Sequence, residues 1–271
     1  MKTENIFAII KGMIIGGTML VPGVSGGSMA MILGIYTKLI SAVNNIRTFK
    51  KETLLFLGLF IAGALSGMLI FAKPLLKLIE IYPKPTLYFF AGAVAGAIPM
   101  IYKQSEVKTF SIKHAVYIIL GICGVLLLSV LPTDMVSSVS DNSPLWIFLL
   151  LLAGFISAIA LILPGISVSY FLLLLGLYDE TMLAISEINI AFLLPLGIGV
   201  IIGILLTTKI LENAMTRYPQ TTYLIILGFI IGSIIEVFPG IPNGLEWVRC
   251  LLTAAVGFEA IMLLSQVENT R

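Results

Sequence analysis

The chain has 271 residues, of which 59% are hydrophobic and only 11% charged, and its mean hydropathy is +1.09. Soluble domains carry about 25% charged residues, so a soluble enzyme or binding module is excluded and the sequence reads as an all-α integral membrane protein. A net charge of +2 leaves no electrostatic footprint for nucleic acid.

In chain order, residues 6–40 come first as two apolar limbs joined at Pro22-Gly23. The limb 6–21 has 16 residues, about 24 Å as a helix. That is short of a hydrocarbon core about 30 Å thick but passes its midplane, so the pair is predicted to be a re-entrant hairpin. Apolar segments long enough to cross follow near 54–72, 86–102 and 114–131. Residues 145–185 form a second broken pair, joined at Pro164-Gly165, with longer limbs that fit either re-entry or two crossings. Spans near 190–208, 222–238 and 247–266 complete the chain.

The broken pairs carry one motif twice. Pro22-Gly23-Val24-Ser25-Gly26-Gly27-Ser28 leads to Gly34-Ile35-Tyr36, and Pro164-Gly165-Ile166-Ser167-Val168-Ser169-Tyr170 leads to Gly176-Leu177-Tyr178. Pro, Gly, Ser, Gly and Tyr recur at a constant spacing of 142 residues, as does Gly12 in Gly154. Further on, Tyr82-Pro83 matches Tyr218-Pro219, Gly92 matches Gly228 and Gly96 matches Gly232, each at a spacing of 136. The expected organisation is two repeats, 1–132 and 145–271, with 133–144 as an external linker. Each repeat is a broken helix pair followed by three spans. Three spans reverse the chain, so the second repeat is expected to be inverted relative to the first.

Loop charge agrees with termini on the cytoplasmic side. Arg47, Lys50, Lys51, Lys103, Lys108, Lys113, Lys209 and Arg217 then lie inside, while the outer segments 132–144, 178–189 and 239–246 contain no Lys or Arg. One predicted outer loop, 73–85, breaks the pattern with Lys73, Lys77 and Lys84. Those lysines read either as helix-end residues reaching outward or as a collector for an anionic substrate.

The repeated motif has the chemistry of an anion site. Proline and glycine interrupt the helix. Irregular backbone at membrane depth survives only inside protein or beside a water-filled cavity. A new helix then starts near Ser25 or Ser28, and near Ser167 or Ser169, with free amides, the positive dipole end and Ser hydroxyls. Broken segments in corresponding halves point to a transporter's binding site. The tips are expected to meet near the midplane. The alternative is that Gly and Ser serve close helix packing, and the Gly-rich spans (Gly58, Gly63, Gly67; Gly197, Gly199, Gly203) are read so.

The candidate phosphate-binding set is Pro22, Gly23, Ser25, Gly26, Gly27, Ser28, Pro164, Gly165, Ser167 and Ser169, with Lys11, Tyr36 and Tyr178. Lys11 on the first limb is placed to neutralise a phosphate, whereas Lys38 reads as interfacial. Glu259 and Glu236, within apolar spans, are candidates for proton coupling or for hydrogen-bonded structural roles. Cys123 and Cys250 sit in apolar runs with no disulfide or metal-ligand spacing. His114 is the only histidine and reads as interfacial. No metal, cofactor or catalytic residue is expected. Lys11 breaks the first apolar run without a cleavage pattern, so the N-terminus does not read as a signal peptide.

Val21-Pro22-Gly23-Val24-Ser25-Gly26-Gly27-Ser28 through Gly34-Ile35-Tyr36, with Leu163-Pro164-Gly165-Ile166-Ser167 and Gly176-Leu177-Tyr178, resembles the polyprenyl-phosphate (undecaprenyl phosphate) transporter family of the PopT type, formerly a domain of unknown function family numbered 368. The resemblance covers essentially the whole chain. It implies return of undecaprenyl phosphate from the outer to the inner leaflet of the bacterial plasma membrane, for recycling of the lipid carrier of peptidoglycan and other envelope polymers. It also implies phosphate recognition at Ser25 to Ser28 and Ser167 to Ser169. Ser28 stands where the family pattern has Thr, which keeps a hydroxyl, and Val168 stands where it has Gly, which narrows the second site. The partners implied are a polyprenyl phosphate and the bilayer; a homo-oligomer is left open.

Two alternatives remain at this level. A membrane phosphatase acting on undecaprenyl pyrophosphate also has inverted repeats and a Pro-Gly-x-Ser motif. It adds an Arg in that motif and paired Glu residues, and here Gly26 and Val168 follow the motif serines. A transporter of a small soluble anion shares the site chemistry but leaves the apolar surround unexplained.

Overall fold

The structure, a computed structural model, describes residues 2–19, 24–128, 144–168, 171–172, 175–244 and 246–269. Among them it is all-helical: α1 (Lys2–Thr18), α2 (Gly26–Ile32), α3 (Tyr36–Asn44), a 3-10 turn (Asn45–Thr48), α4 (Lys51–Ile81), α5 (Pro83–Gln104), α6 (Ile112–Leu128), α7 (Pro144–Ile162), α8 (Tyr178–Ser186), α9 (Ile190–Arg217), α10 (Pro219–Val237) and α11 (Glu246–Asn269). Four of these, α4, α5, α7 and α9, are long and apolar enough to cross a membrane, and the bent pair α2–α3 raises the count to five if taken as one span. Apolar side chains stay on the outside of the bundle, as at Leu69 on α4 (81% exposed) and Ile210 on α9 (69%). Stripes of that kind face lipid, and the fold is that of an integral membrane protein.

Punctuation in the sequence sets the breaks. Tyr82 and Tyr218 adopt nearly the same conformation (φ −131°, ψ 63° and φ −133°, ψ 57°), and each is followed by a proline that opens the next helix. Thr86 then donates back to the Leu78 carbonyl at 3.3 Å, as Thr222 does to Ala214 at 3.0 Å. The Gly-x-Tyr that closes each motif is a helix stop. Gly34 (φ 62°) and Gly176 (φ 71°) take the left-handed conformation. The next residue donates back five positions, Ile35 to Ala30 at 3.0 Å and Leu177 to Leu172 at 2.8 Å. This glycine-terminated cap suits a residue without Cβ.

Packing recurs with the same offsets. Helix α1 packs on α4, and α7 packs on α9; α5 packs on α11, and α6 on α10. Gly63 lies against the Ile9 carbonyl and Gly199 against the Leu151 carbonyl, while Gly92 lies against Ala254 and Gly228 against Ile118. Any Cβ at these glycines would run into backbone, so close approach requires the smallest residue. The packing reading holds at Gly63, Gly67, Gly199 and Gly203 but not at Gly58 and Gly197, which face outward, so that an added Cβ there meets nothing within 4 Å.

Three details differ from the sequence reading. The segment 73–85 is not a loop: α4 runs through Pro74 to Ile81 and α5 starts at Pro83, so Lys73 and Lys77 are helical. At 31 residues α4 is about 46 Å long, and its last turns outreach a core of about 30 Å. The second limb of the first pair is not one helix, because α2 and α3 meet at a 116° bend. In the second pair the second limb is likewise interrupted, because α8 starts only at Tyr178, after the left-handed Gly176, and has nine residues. Of the linker 133–144, residues 133–143 lie outside the described residues.

Candidate functional site

The broken end of α7 meets the start of α2. Pro164 has no amide to donate and ends α7 at Ile162, which leaves the last carbonyls of that helix without intrahelical partners. The first motif supplies them. Tyr36 donates its hydroxyl to the Ile162 carbonyl at 2.7 Å, and the Ser25 hydroxyl lies 3.5 Å from the Leu163 carbonyl. In return the Gly165 amide donates to the Ser28 hydroxyl oxygen at 2.7 Å. Gly27 backs onto this junction, where a Cβ would lie 3.0 Å from the Ile162 carbonyl oxygen. The negative end of one helix thereby faces the positive end of another.

The junction is dry. Ser25 is 4% exposed, Ser28 2% and Tyr36 4%, and Pro164 and Gly165 are buried. Gly165 is held at φ 86°, and a Cβ there would sit 2.5 Å from the Phe229 carbonyl oxygen of α10. Ser25 is the backbone N-cap of α2, with extended φ −82° and ψ 134°, and its carbonyl accepts from Met29 at 3.1 Å. Its side chain makes no cap hydrogen bond, contrary to the usual role of an N-cap serine. The hydroxyl turns instead toward α7. Hydroxyls and first-turn amides thus converge where polar backbone has been drawn into apolar protein, the donor chemistry that suits an anion.

Other expected site residues fall elsewhere. The Lys11 ammonium donates to the Leu33 carbonyl. That carbonyl closes the C-terminal end of α2, about 12 Å along the helix from Ser25, so this bond places the Lys11 ammonium at the negative end of α2. Tyr178 opens α8 and packs against the Trp146–Leu150 cluster. Ser167 is half-buried and its carbonyl accepts from Phe171 at 3.2 Å. Glu259 is exposed on α11, away from the motif junction. Pro22, Gly23 and Ser169 lie outside the described residues, as does the side chain of Glu236. Lys84 donates to the Glu246 carboxylate at 3.1 Å, so one of the three outer lysines is already paired. His114 accepts from the Ser111 amide at 3.0 Å at the start of α6, an end-of-helix role. No group of residues able to hold a metal is present among the described residues.

Sequence reasoning missed a second polar cluster, where α3 meets α9. Both oxygens of the Glu212 carboxylate accept, one from the Ser41 hydroxyl and one from the Asn44 amide. Asn44 also donates to the Thr208 carbonyl at 3.0 Å and accepts from the Thr208 hydroxyl at 2.9 Å. These residues lie more than 160 positions apart and belong to no repeated motif; the only available signal was a Thr and a Glu one turn apart in an apolar helix.

Comparison with known proteins shows the family of the chain. A family model described as undecaprenyl phosphate translocase-like (VCA0040-like) matches residues 15–249. A polyprenyl-phosphate transporter of Staphylococcus aureus (strain NCTC 8325 / PS 47) is 35% identical over 273 residues, covering 96% of this chain and 95% of that protein. A polyprenyl-phosphate transporter of Vibrio cholerae serotype O1 (strain ATCC 39315 / El Tor Inaba N16961) is 29% identical over 253 residues, covering 88% and 79%. No solved structure matches. With that model and these relatives spanning nearly its whole length, the chain belongs to the undecaprenyl phosphate translocase-like family.

Proposed function

We propose that this protein is a flippase that carries undecaprenyl phosphate from the outer to the inner leaflet of the bacterial plasma membrane and catalyses no reaction. Its two halves form inverted repeats with both termini cytoplasmic, and 133–144 links them outside. The phosphate head sits between the motif tips, held by Ser25, Ser28, Ser167 and Ser169 and by the amides of Gly26 and Gly27. Pro22, Gly23, Pro164 and Gly165 shape the breaks. The polyprenyl tail stays in the bilayer against the exposed apolar faces.

The observation that carries this reading is the meeting of the two broken motifs, Ser28 with Gly165 at 2.7 Å. Inverted tips that touch in the interior form a site reachable in turn from either face. A phosphate entering there replaces Ser28 as acceptor for the Gly165 amide. The Ser25 hydroxyl, which now points at the Leu163 carbonyl, turns to donate to the phosphate. Serine hydroxyls and glycine amides without an Arg clamp suit a monophosphate.

The test is depletion of the protein in its host, with intact cells stained for undecaprenyl phosphate on the outer leaflet. The surface pool should rise, and a Ser25→Leu variant that still inserts should fail to lower it. A fall in monophosphate with accumulation of the pyrophosphate would identify a phosphatase instead.

A further inference from the structure

Helix α3 lies between two left-handed residues, with polar contacts to α9 on one flank and a cavity on the other. At its start Gly34 is left-handed (φ 62°), and beyond its end Phe49 is left-handed as well (φ 49°). On one flank Ser41 and Asn44 reach across to Thr208 and Glu212 of α9, and Thr208 is fully buried. On the other flank a cavity of about 360 Å³ separates α3 from α1 and α4, lined by Glu4 and Asn5, by Lys38 and Ser41, and by Thr53 and Phe56. Lys38 bridges it, 3.5 Å from Glu4 and 4.9 Å from the centre of the Phe56 ring. Both partners of that ion pair are more than half exposed (53% and 74%), so it is a weak tether.

The latch has no counterpart in the other half. At the repeat offsets Ser41 and Asn44 correspond to Leu183 and Ser186, and Thr208 and Glu212 to Ala72 and Leu76. Helix α3 packs on α9, but α8 makes no comparable packing on α4 among the described residues. Among the described residues the two halves therefore differ at this contact, which is shut at the α3 end. With cytoplasmic termini, the shut end is the cytoplasmic one.

We propose that α3 is the inner gate of the translocation path, latched to α9 by the Ser41–Asn44–Thr208–Glu212 cluster, and that it opens by swinging about Gly34 and Phe49 into the cavity beside α1 and α4. The gate rests on the transporter reading, and it adds to it the residues that decide which face the motif site opens toward. Glu212 is a positioning residue: its carboxylate gathers two neutral donors from α3 and holds that helix against α9. Because α3 begins at Tyr36, whose hydroxyl holds the Ile162 carbonyl, movement of α3 also loosens the junction of the two motif tips.

The test has two arms, both with Cys123 and Cys250 replaced by Ala. In the first, Asn44→Cys and Thr208→Cys are oxidised to a disulfide in membranes. Transport of an outer-leaflet polyprenyl phosphate should fall roughly tenfold or more and return on reduction. In the second, Ser25→Cys is labelled with an impermeant maleimide from the cytoplasmic side of inside-out vesicles. Adding Glu212→Ala should raise the labelling rate roughly tenfold, because hydrogen bonds to a charged group are lost. Failure of the cysteine pair to cross-link, unchanged transport by the cross-linked protein, or unchanged labelling with Glu212→Ala would each overturn the gate. The labelling arm uses no lipid. If labelling rises while the unmodified protein moves no polyprenyl phosphate, the gate stands and the transporter reading falls.

Discussion

The amide of Gly165 donates to the hydroxyl of Ser28 at 2.7 Å, joining two residues 137 positions apart in the chain. Each belongs to a helix break that leaves polar backbone inside apolar protein, and each break satisfies the other. Removing the hydroxyl with Ser28→Ala strands a buried N–H, at a cost of about 1–3 kcal/mol. The melting temperature of the purified protein in detergent should fall accordingly, and Ser28→Thr, which keeps the hydroxyl, should restore most of it. Equal stability of the Ala and Thr variants would show that the bond contributes nothing.

Gly165 and Gly197 make a matched pair of tests. Gly165 combines φ 86° with a backbone carbonyl 2.5 Å from any added Cβ, whereas an added Cβ at Gly197 meets nothing within 4 Å. Gly165→Ala should therefore destabilise by several kcal/mol or prevent folding, and it should abolish transport. Gly197→Ala should lie within about 0.5 kcal/mol of the parent. Fluorescence-detected size exclusion after a heat series would separate them.

Tyr36→Phe keeps the buried ring and removes the bond to the Ile162 carbonyl. The expected loss is about 1 kcal/mol, with transport reduced but present, since the aromatic packing survives. Complete loss of transport in a well-folded Tyr36→Phe protein would assign the hydroxyl to the substrate instead.

The repeated packing predicts repeated sensitivity. Gly63→Val and Gly199→Val each push a side chain into the carbonyl of the neighbouring helix, Ile9 in one half and Leu151 in the other. Both should lower stability by comparable amounts, a few kcal/mol each. A large effect in one half and none in the other would break the equivalence of the two helix pairs.

Lys11→Met tests the relocation of that lysine. Its ammonium sits on the Leu33 carbonyl at the end of α2, a favourable place for a cation by about 0.3–1 kcal/mol. Stability should drop by that order while affinity for the phosphate head stays within a few-fold. A tenfold loss of affinity at constant stability would return Lys11 to the head-group site.

The sequence alone determined the class and the plan, because both rest on local chemistry. Apolar length marks spans, Pro-Gly interrupts them, and one motif recurs at a constant spacing of 142 residues. The Gly-rich stripes were legible for the same reason, since only a residue without Cβ lets helix backbones touch. The tertiary structure decided what the breaks are for. Which carbonyl Tyr36 holds, that Ser25 turns from its own helix toward α7, and that Lys11 serves Leu33 all depend on residues 22 to 138 positions distant. The cluster of Asn44, Thr208 and Glu212 was invisible for the same reason. A hydrogen bond between helices depends on how their axes pack and rotate, and no periodicity along one chain records that geometry.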